Sequence, residues 1–290
     1  MPIIKCKPLK KLPLVSAVIP ARNEEEHIAD CIEALLNQAY KNIEIIIVEN
    51  GNSSDKTFKI AKDYEKKYKN VRAFSIPGKQ KGPGNAWNYG VIKSKGEIIM
   101  ICGADLEYGK NYIRKGIKPI LSGESVGIVH NLESCKNIQN LWARAFFKNR
   151  SSLYNNRFSR VFSLIRKDYL IKRPFNSKRG YADDQTIFIE EGAEFLGIDL
   201  EVSHTNPDSL SDTWSHSRWV GRSINDTYTI LLILPFFPIY AIYKSIIHLK
   251  KDFYLPFIFF LPIYYSIKYF AYFIESIKSS WFFSSKTYCK

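Results

Sequence analysis

The sequence is short of acid, of sulfur and of any nucleic-acid motif. Twenty-eight acidic residues face 42 lysines and arginines in 290 residues, a formal charge of +14. That imbalance asks for an acidic partner: nucleic acid, anionic lipid or a phosphorylated ligand. No zinc-finger spacing and no aromatic RNP run is present, so nucleic acid is set aside. The five cysteines (Cys6, Cys31, Cys102, Cys135 and Cys289) are scattered and form no CxxC. This argues against a disulfide framework or a zinc site and fits a reducing compartment. Cys31 and Cys102 fall on apolar faces and are expected in the core. No internal repeat is visible. The opening MPIIKCKPLKKLPL holds no apolar run of signal-peptide length. Residues 1–13 read as a basic, proline-punctuated tail.

What is present begins with short apolar runs that alternate with helical periodicity. Leu14–Ile19 reads as a buried strand stopped by Pro20. Asn23 then reads as the N-cap of a helix to about Asn37, with Glu24, Glu25 and Glu26 in its first turn. Ile43–Val48 is a second buried strand, Asp55–Tyr68 a helix and Val71–Ser75 a strand. A Gly-Pro-Lys loop over 77–84 opens a third helix, and Ile98–Cys102 is a further buried strand running into Gly103-Ala104-Asp105. This β-α-β-α-β-α-β order is the signature of a parallel, Rossmann-like sheet. In such sheets ligands bind past the carboxyl ends of the strands, which is where Asp105 falls. Beyond Asp105 the pattern loosens: a helix over Tyr112–Leu121, a strand over Val126–Leu132, a helix over Asn137–Asn149 and a strand over Val161–Ile165. A helix starts near Gln185, Leu196–Ser203 is a late strand, and His204–Ser217 reads as a polar loop.

Composition changes at Tyr228. Tyr228–Ile247 and Phe253–Ile274 are almost wholly apolar and each is about the length a spanning helix needs. The short linker between them carries Lys250 and Lys251. A spanning hairpin would put those lysines on the side opposite a cytosolic catalytic domain, against the positive-inside rule. Helices lying in the interface would remove that conflict. The expectation is membrane insertion, spanning or interfacial, with membrane lipids as partners.

Four pieces in order resemble the family 2 inverting glycosyltransferases, which have the A-type glycosyltransferase fold. The first is VSAVIPARNEEEHIADCIEALLNQAYKNIEIIIVENG, residues 15–51. The second is Lys81-Gly82 through Asn88-x-Gly90, then Lys95-Gly96-Glu97. The third is Gly103-Ala104-Asp105, at the place of the D-x-D motif. The fourth is Asp183-Asp184, at the place of the E-D motif, with Arg218-Trp219 at the place of Q-x-x-R-W. The chain departs from the pattern at Gly103 (for the first Asp), Glu49 (for a base-contacting Asp), Trp87 (for an Arg) and Ser215 (for a Gln).

The resemblance implies a mixed, mostly parallel α/β sheet over residues 14–222, followed by a membrane-associated region, 223–290, with helices at about 228–247 and 253–274. It implies an enzyme moving a sugar from a nucleotide-diphosphate sugar to a lipid-linked or saccharide hydroxyl, with a divalent cation, Mg2+ or Mn2+, at a cell membrane, the catalytic domain facing the cytoplasm. The acceptor class is a lipid or lipid-linked glycan, and a polyprenyl phosphate is the alternative. Pro20, Ala21, Arg22, Glu24 and Glu49 would hold base and ribose. Lys81 and Gly82 would close over the nucleotide. Ala104 and Asp105 would meet the diphosphate and its cation, and Arg218 would pair with diphosphate oxygens beside Trp219. Glu107 and His204 are further candidate metal ligands, each otherwise a loop residue. Asp184 would be the general base, with Asp183 beside it raising its proton affinity. Either Asp can instead cap the helix at Gln185. The non-enzymatic rival is a degenerate nucleotide-sugar-binding member, motivated by Gly103 and Ser215. A nucleotidyltransferase would need a Gly-rich signature after the first strand, where Pro20-Ala21-Arg22-Asn23 stands.

Overall fold

The computed structural model describes residues 3–9, 12–51, 53–76, 83–154, 162–177, 187, 194–222 and 236–283. Lys81, Gly82, Asp183, Asp184 and the first part of the 228–247 stretch lie outside these. The chain packs as two compact units. One comprises Met1–Ser134 with Tyr154–His204, the other Cys135–Leu153 with Thr205–Lys290.

The first unit is an eight-stranded mixed sheet. Its strands are β1 (Val15–Ala21), β2 (Ile43–Glu49), β3 (Val71–Ser75), β4 (Ile98–Ile101), β5 (Leu106–Tyr108), β6 (Gly127–Cys135), β7 (Phe162–Arg166) and β8 (Leu196–His204), in the order β3-β2-β1-β4-β7-β6-β8-β5. β1 pairs in parallel with β2 and with β4, and β3 in parallel with β2. β7 is antiparallel to both β4 and β6, and β5 to β8. The β-branched runs of β1, β2 and β4 are buried on both faces, as a covered parallel sheet requires. Alternate residues feed two cores. Val15, Ala17, Ile45 and Met100 pack with Ile28, Cys31, Ile32 and Leu35 of α1 (Ile28–Leu36) and Ala61 of α2 (Thr57–Lys67). Val18, Ile46 and Ile99 pack with Ala86 and Val91 of α3 (Pro83–Lys93) and with Leu170. Cys31 and Cys102 are both buried, as their faces predict.

The Lys95-Gly96 piece proves to be a brace in the sheet. Glu44 is buried and accepts from Ser16 Oγ (2.6 Å) and Lys95 N–H (2.5 Å), and it pairs with Arg72 at 2.9 Å. Gly96 N–H donates to Ser16 Oγ at 2.8 Å. A Cβ on Gly96 would stand 2.5 Å from that oxygen and 2.6 Å from Leu14 O. Gly96→Ala should therefore destabilise the sheet by about 1–3 kcal/mol, read as a lower denaturation midpoint.

One expectation is corrected here and two are given detail. Asn23 is not a helix N-cap: it takes a left-handed φ of 57°, and α1 begins five residues later. Its Oδ1 instead accepts from Ser54 N–H at 2.9 Å. Within the basic tail, residues 3–9 form an extended segment bonded to 121–126, through Cys6 N–H to Gly123 O, Leu9 N–H to Leu121 O and Val126 N–H to Ile4 O. Tyr112–Leu121 is two short helices, α4 (Tyr112–Gly116) and α5 (Lys118–Ser122). A further short helix, α7 (Lys167–Lys172), follows β7.

The second unit is helical: α6 (Leu141–Tyr154, its last residue in the first unit), α8 (Leu210–Arg222), α9 (Phe237–Lys251) and α10 (Phe257–Phe283). Its core joins Ala145, Ala241, Phe257, Leu261, Tyr264 and Tyr265. α8 replaces most of the expected polar loop. Ser209 starts it, its Oγ accepting from Asp212 N–H at 3.1 Å. The face it buries is Thr213, Ser217 and Gly221, small residues that let α8 lie close on α10. Only one described helix is long and apolar enough to cross a membrane, over Phe257–Glu275. Within the described residues α9 has 15, or about 22 Å.

Candidate active site

Pro20, Ala21, Arg22, Glu24, Glu49, Ala104 and Asp105, of the residues singled out in the sequence, lie at or just past the carboxyl ends of β1, β2 and β4, neighbours in the sheet. The chain runs outward from β1 to β2 and β3, then returns to β4 on the other side of β1. That reversal is a topological switch point, where open α/β sheets leave a crevice. Pro20 and Ala21 end β1, Glu49 ends β2, and Ala104 and Asp105 form the turn after β4. Arg22 is exposed just past β1, and Ala21 and Ala104 are buried.

Two loops of this rim are laced together. Glu24 N–H donates to Thr57 Oγ1 at 2.7 Å, Glu25 N–H to Asp55 Oδ2 at 3.0 Å and Lys56 N–H to Glu25 Oε2 at 3.0 Å. Glu49 is buried, and its carboxylate accepts from Ser53 N–H and Ser75 Oγ, each at 2.6 Å. These bonds fix the carboxylate at the strand end and leave it lone pairs for a ligand.

Asp105 faces His204, the last residue of β8. Asp105 Oδ2 lies 2.8 Å from His204 Nε2, and His204 Nδ1 lies 2.6 Å from Glu133 Oε1 on β6. An imidazole between two carboxylates donates to both when it carries both protons; without the Nε2 proton, Nε2 and Asp105 Oδ2 would be two acceptors with a cation's place between them. The carboxyl of Glu24 is pushed up to about 8, first by burial, then by the charges of Asp105 and Asp55. Asp105 with His204 are residues that fit a divalent cation. Among the described residues no group of three ligating side chains gathers. Protein oxygen and nitrogen would fill only part of a shell.

Gly103 explains its own departure from the motif. A Cβ there would stand 2.6 Å from Asp105 Oδ1. Glycine lets that carboxylate fold back over position 103. Glu107 takes a different place from the one expected. It pairs with Ser203 while Leu106 pairs with His204, so strand alternation sends Glu107 to the face opposite His204. There it lines a cavity of about 650 Å3 with Ser134, Glu201 and Ser203.

Other parts of the motif set are supports. Asn88 clamps the backbone of Phe175, its Nδ2 donating to Phe175 O at 2.8 Å and its Oδ1 accepting from Phe175 N–H at 2.9 Å. Trp87 Nε1 donates to Cys102 O at 3.2 Å, steadying the strand end before Asp105. Gly90 lets α3 lie on β1, since a Cβ there would overlap Val18 Cγ1. Arg218 and half-exposed Trp219 lie on α8 in the second unit, where Arg218 Nε donates to the buried Glu275 Oε1 at 2.5 Å. Sequence reasoning missed Glu133. Its signal was a single carboxylate in the nine-residue strand GIVHNLESC.

The model of the family described as glycosyl transferase family 2 matches residues 16–183. The chain belongs to glycosyl transferase family 2. Within this family the chain is 34% identical over 120 residues to glycosyltransferase AglE of Haloferax volcanii, a match covering 41% of this chain and 38% of that one. It is 31% identical over 108 residues to the dolichyl N-acetyl-alpha-D-glucosaminyl phosphate 3-beta-D-2,3-diacetamido-2,3-dideoxy-beta-D-glucuronosyltransferase of Methanococcus voltae, covering 36% and 33%. The matches thus span less than two-fifths of these relatives' lengths. The fold is that of the mannosyltransferase PcManGT from Pyrobaculum calidifontis, solved with GDP-Man and Mn2+. The TM-score is 0.54 at 14% identity, over 99% of this chain and 80% of that one. The family 2 match takes in Glu24, Glu49, Asp105 and Asp183 and stops short of His204 and Arg218.

The pH dependence of the family 2 crevice follows from Glu24. Its folded value lies above its unfolded one, so the native state holds a proton that the unfolded chain gives up. The stability Glu24 contributes is fully present below the unfolded value near 4.5 and is lost as pH rises toward about 8. The expected loss is on the order of a few kcal/mol. Melting temperatures from pH 5 to 8.5 should fall for the native chain and fall less for Glu24→Gln. Added Mn2+ should flatten the native slope.

Proposed function

We propose that this chain is a membrane-associated inverting glycosyltransferase, moving a sugar from a nucleotide-diphosphate sugar to a hydroxyl on a lipid-linked acceptor at the cytoplasmic face of the cell membrane. The observation that carries the reading is the Asp105–His204–Glu133 line at the switch point, beside Glu49, in a family 2 fold. A divalent cation, Mg2+ or Mn2+, bound there would neutralise the charge growing on the departing diphosphate. Asp105 and His204 would hold it, and Glu133 would keep His204 Nε2 aimed at it. Glu49 accepts from the nucleobase edge, while Pro20, Ala21, Arg22 and Glu24 border base and ribose. Lys81 and Gly82 close the donor loop, where glycine permits close backbone approach. Asp184 takes the proton of the attacking hydroxyl, and Asp183 strengthens it as a base. Arg218 would pair with diphosphate oxygens, with Trp219 beside it, as the resemblance implies. The lipid-linked acceptor is supported by the name of the Methanococcus voltae relative. It is supported too by the apolar helix Phe257–Glu275.

The test is incubation of the detergent-purified full chain with a panel of radiolabelled UDP- and GDP-sugars and a polyprenyl-linked saccharide, followed by lipid extraction. Label from one donor should enter the lipid phase only with a divalent cation. Nucleotide binding with transfer to no acceptor would leave the degenerate, nucleotide-sugar-binding reading in its place.

A further inference from the structure

Composition leaves open whether the apolar helices of the second unit cross a bilayer or lie on it, and their packing bears on the choice. α9 buries Ala241, Ser245 and His248 on one side and exposes Ile239, Ile242, Tyr243 and Ile246 on the other. α10 likewise buries Phe257, Leu261, Tyr264 and Tyr265 and exposes Ile258, Phe259 and Ile263. Leu255 before it and Phe236 before α9 extend the same apolar surface, at 68% and 59% exposed. Contiguous apolar surface of this extent is rare on a protein that lives free in water.

The turn joining the two helices is tied down. Asp252 in that turn takes a two-pronged ion pair from Arg144, Nε to Oδ2 at 2.9 Å and Nη2 to Oδ1 at 2.8 Å. The Arg144 hydrogen bond, ahead of every other cause, holds the Asp252 carboxyl below its ordinary range. The Arg144 guanidinium also lies 4.2 Å from the Tyr254 ring centre. Arg144 is on α6, which follows β6 and precedes β7 in the chain. Asn149, further along α6, accepts from Tyr265 Oη at 2.9 Å, and Tyr265 Oη lies 3.0 Å from the buried His248. At the other end of the span-length stretch, Glu275 is bonded to Arg218 of α8, which follows β8 after a short link. Polar helices, each joined by chain to a strand, therefore flank α10 from its first turn to Glu275.

We propose that α9 and α10 form a monotopic platform whose outward apolar face sinks into one leaflet of an anionic bilayer, with neither helix crossing it. This rests on the membrane reading above. The occupant is lipid because cations edge the apolar face. Lys250 and Lys251 are exposed at the turn. Lys244 lies 5.4 Å from the Tyr240 ring centre. Long basic side chains over tyrosines at a membrane edge reach the headgroup phosphates. The platform also removes the conflict with the positive-inside rule, since Lys250 and Lys251 then stay on the side from which the protein binds.

Two measurements on the full chain test this, with vesicles of phosphatidylcholine and phosphatidylglycerol. In flotation, Ile242→Glu with Phe259→Glu should lower the bound fraction at least about tenfold, with the melting temperature of the unbound protein kept. The second uses a variant with its native cysteines replaced by alanine and Lys250→Cys added, bound to intact vesicles from outside. An impermeant maleimide in the outer solution should label its single thiol. Labelling only after permeabilisation would overturn the platform in favour of a spanning hairpin and leave the membrane reading standing. A native chain that does not float, and that Ile242→Glu converts from dimer to monomer, would overturn both and give the face to a second copy.

Discussion

Asp105→Asn is expected to cut turnover by about a hundred- to a thousandfold, because a cation at a departing diphosphate contributes several kcal/mol. Asparagine keeps the size of the side chain and a hydrogen bond to His204 but not the negative charge. The loss should fall on turnover and on Mn2+ affinity together. It should leave the melting temperature unchanged or slightly raised, since Asp105 is part of the charge that lifts Glu24. Manganese titration of the variant by calorimetry reads the binding without relying on activity. Unaltered turnover in the variant, with native activity that survives chelator, would remove the metal from the reading.

Asp184→Asn separates the acceptor classes and has the other large effect. Asparagine cannot take a proton, and general-base assistance contributes about 10²–10⁴-fold. With a hydroxyl acceptor, turnover should drop by that order while donor affinity barely moves. The acid limb of the pH–rate profile that belongs to the Asp183-Asp184 pair should vanish. With a polyprenyl phosphate the attacking oxygen is already ionised. The drop would then be small, and mild acid would release the product as free sugar and lipid phosphate. That outcome would move the function to a polyprenyl-phosphate sugar synthase while keeping Asp105 and the fold.

The half of the sheet that carries the donor crevice was legible because its strands are buried on both faces. Val15–Ala21, Ile43–Glu49 and Ile98–Ile101 are nearly unbroken apolar runs, and such runs announce themselves. The other half was harder to read. β5 has three residues, below any periodicity. α8 was hidden because the face it buries is Thr213, Ser217 and Gly221 rather than leucine and valine. Its start was written in Ser209 and Asp212, a capping pair that the polar composition around it obscured. Asn23 misled because a residue suited to cap a helix also suits a left-handed turn. Asp105 was legible from its strand end. His204, 99 residues away, was named as a candidate ligand, but its contact with Asp105 was not, and Glu133, 71 residues before His204, was missed altogether. Contacts at that range depend on how strands are ordered across a sheet, and no local pattern records it.

The clamp of Asn88 on Phe175 gives α3 a second occupation. Immediately before this helix stand Lys81 and Gly82, the proposed donor loop; eight residues beyond Phe175 stands Asp183. That helix lies too tightly on β1, at Gly90 against Val18, to slide. Phe175 is thus moored, through α3, to the first half of the sheet, and the chain after β7 takes its place from a strand laid down far earlier in the sequence.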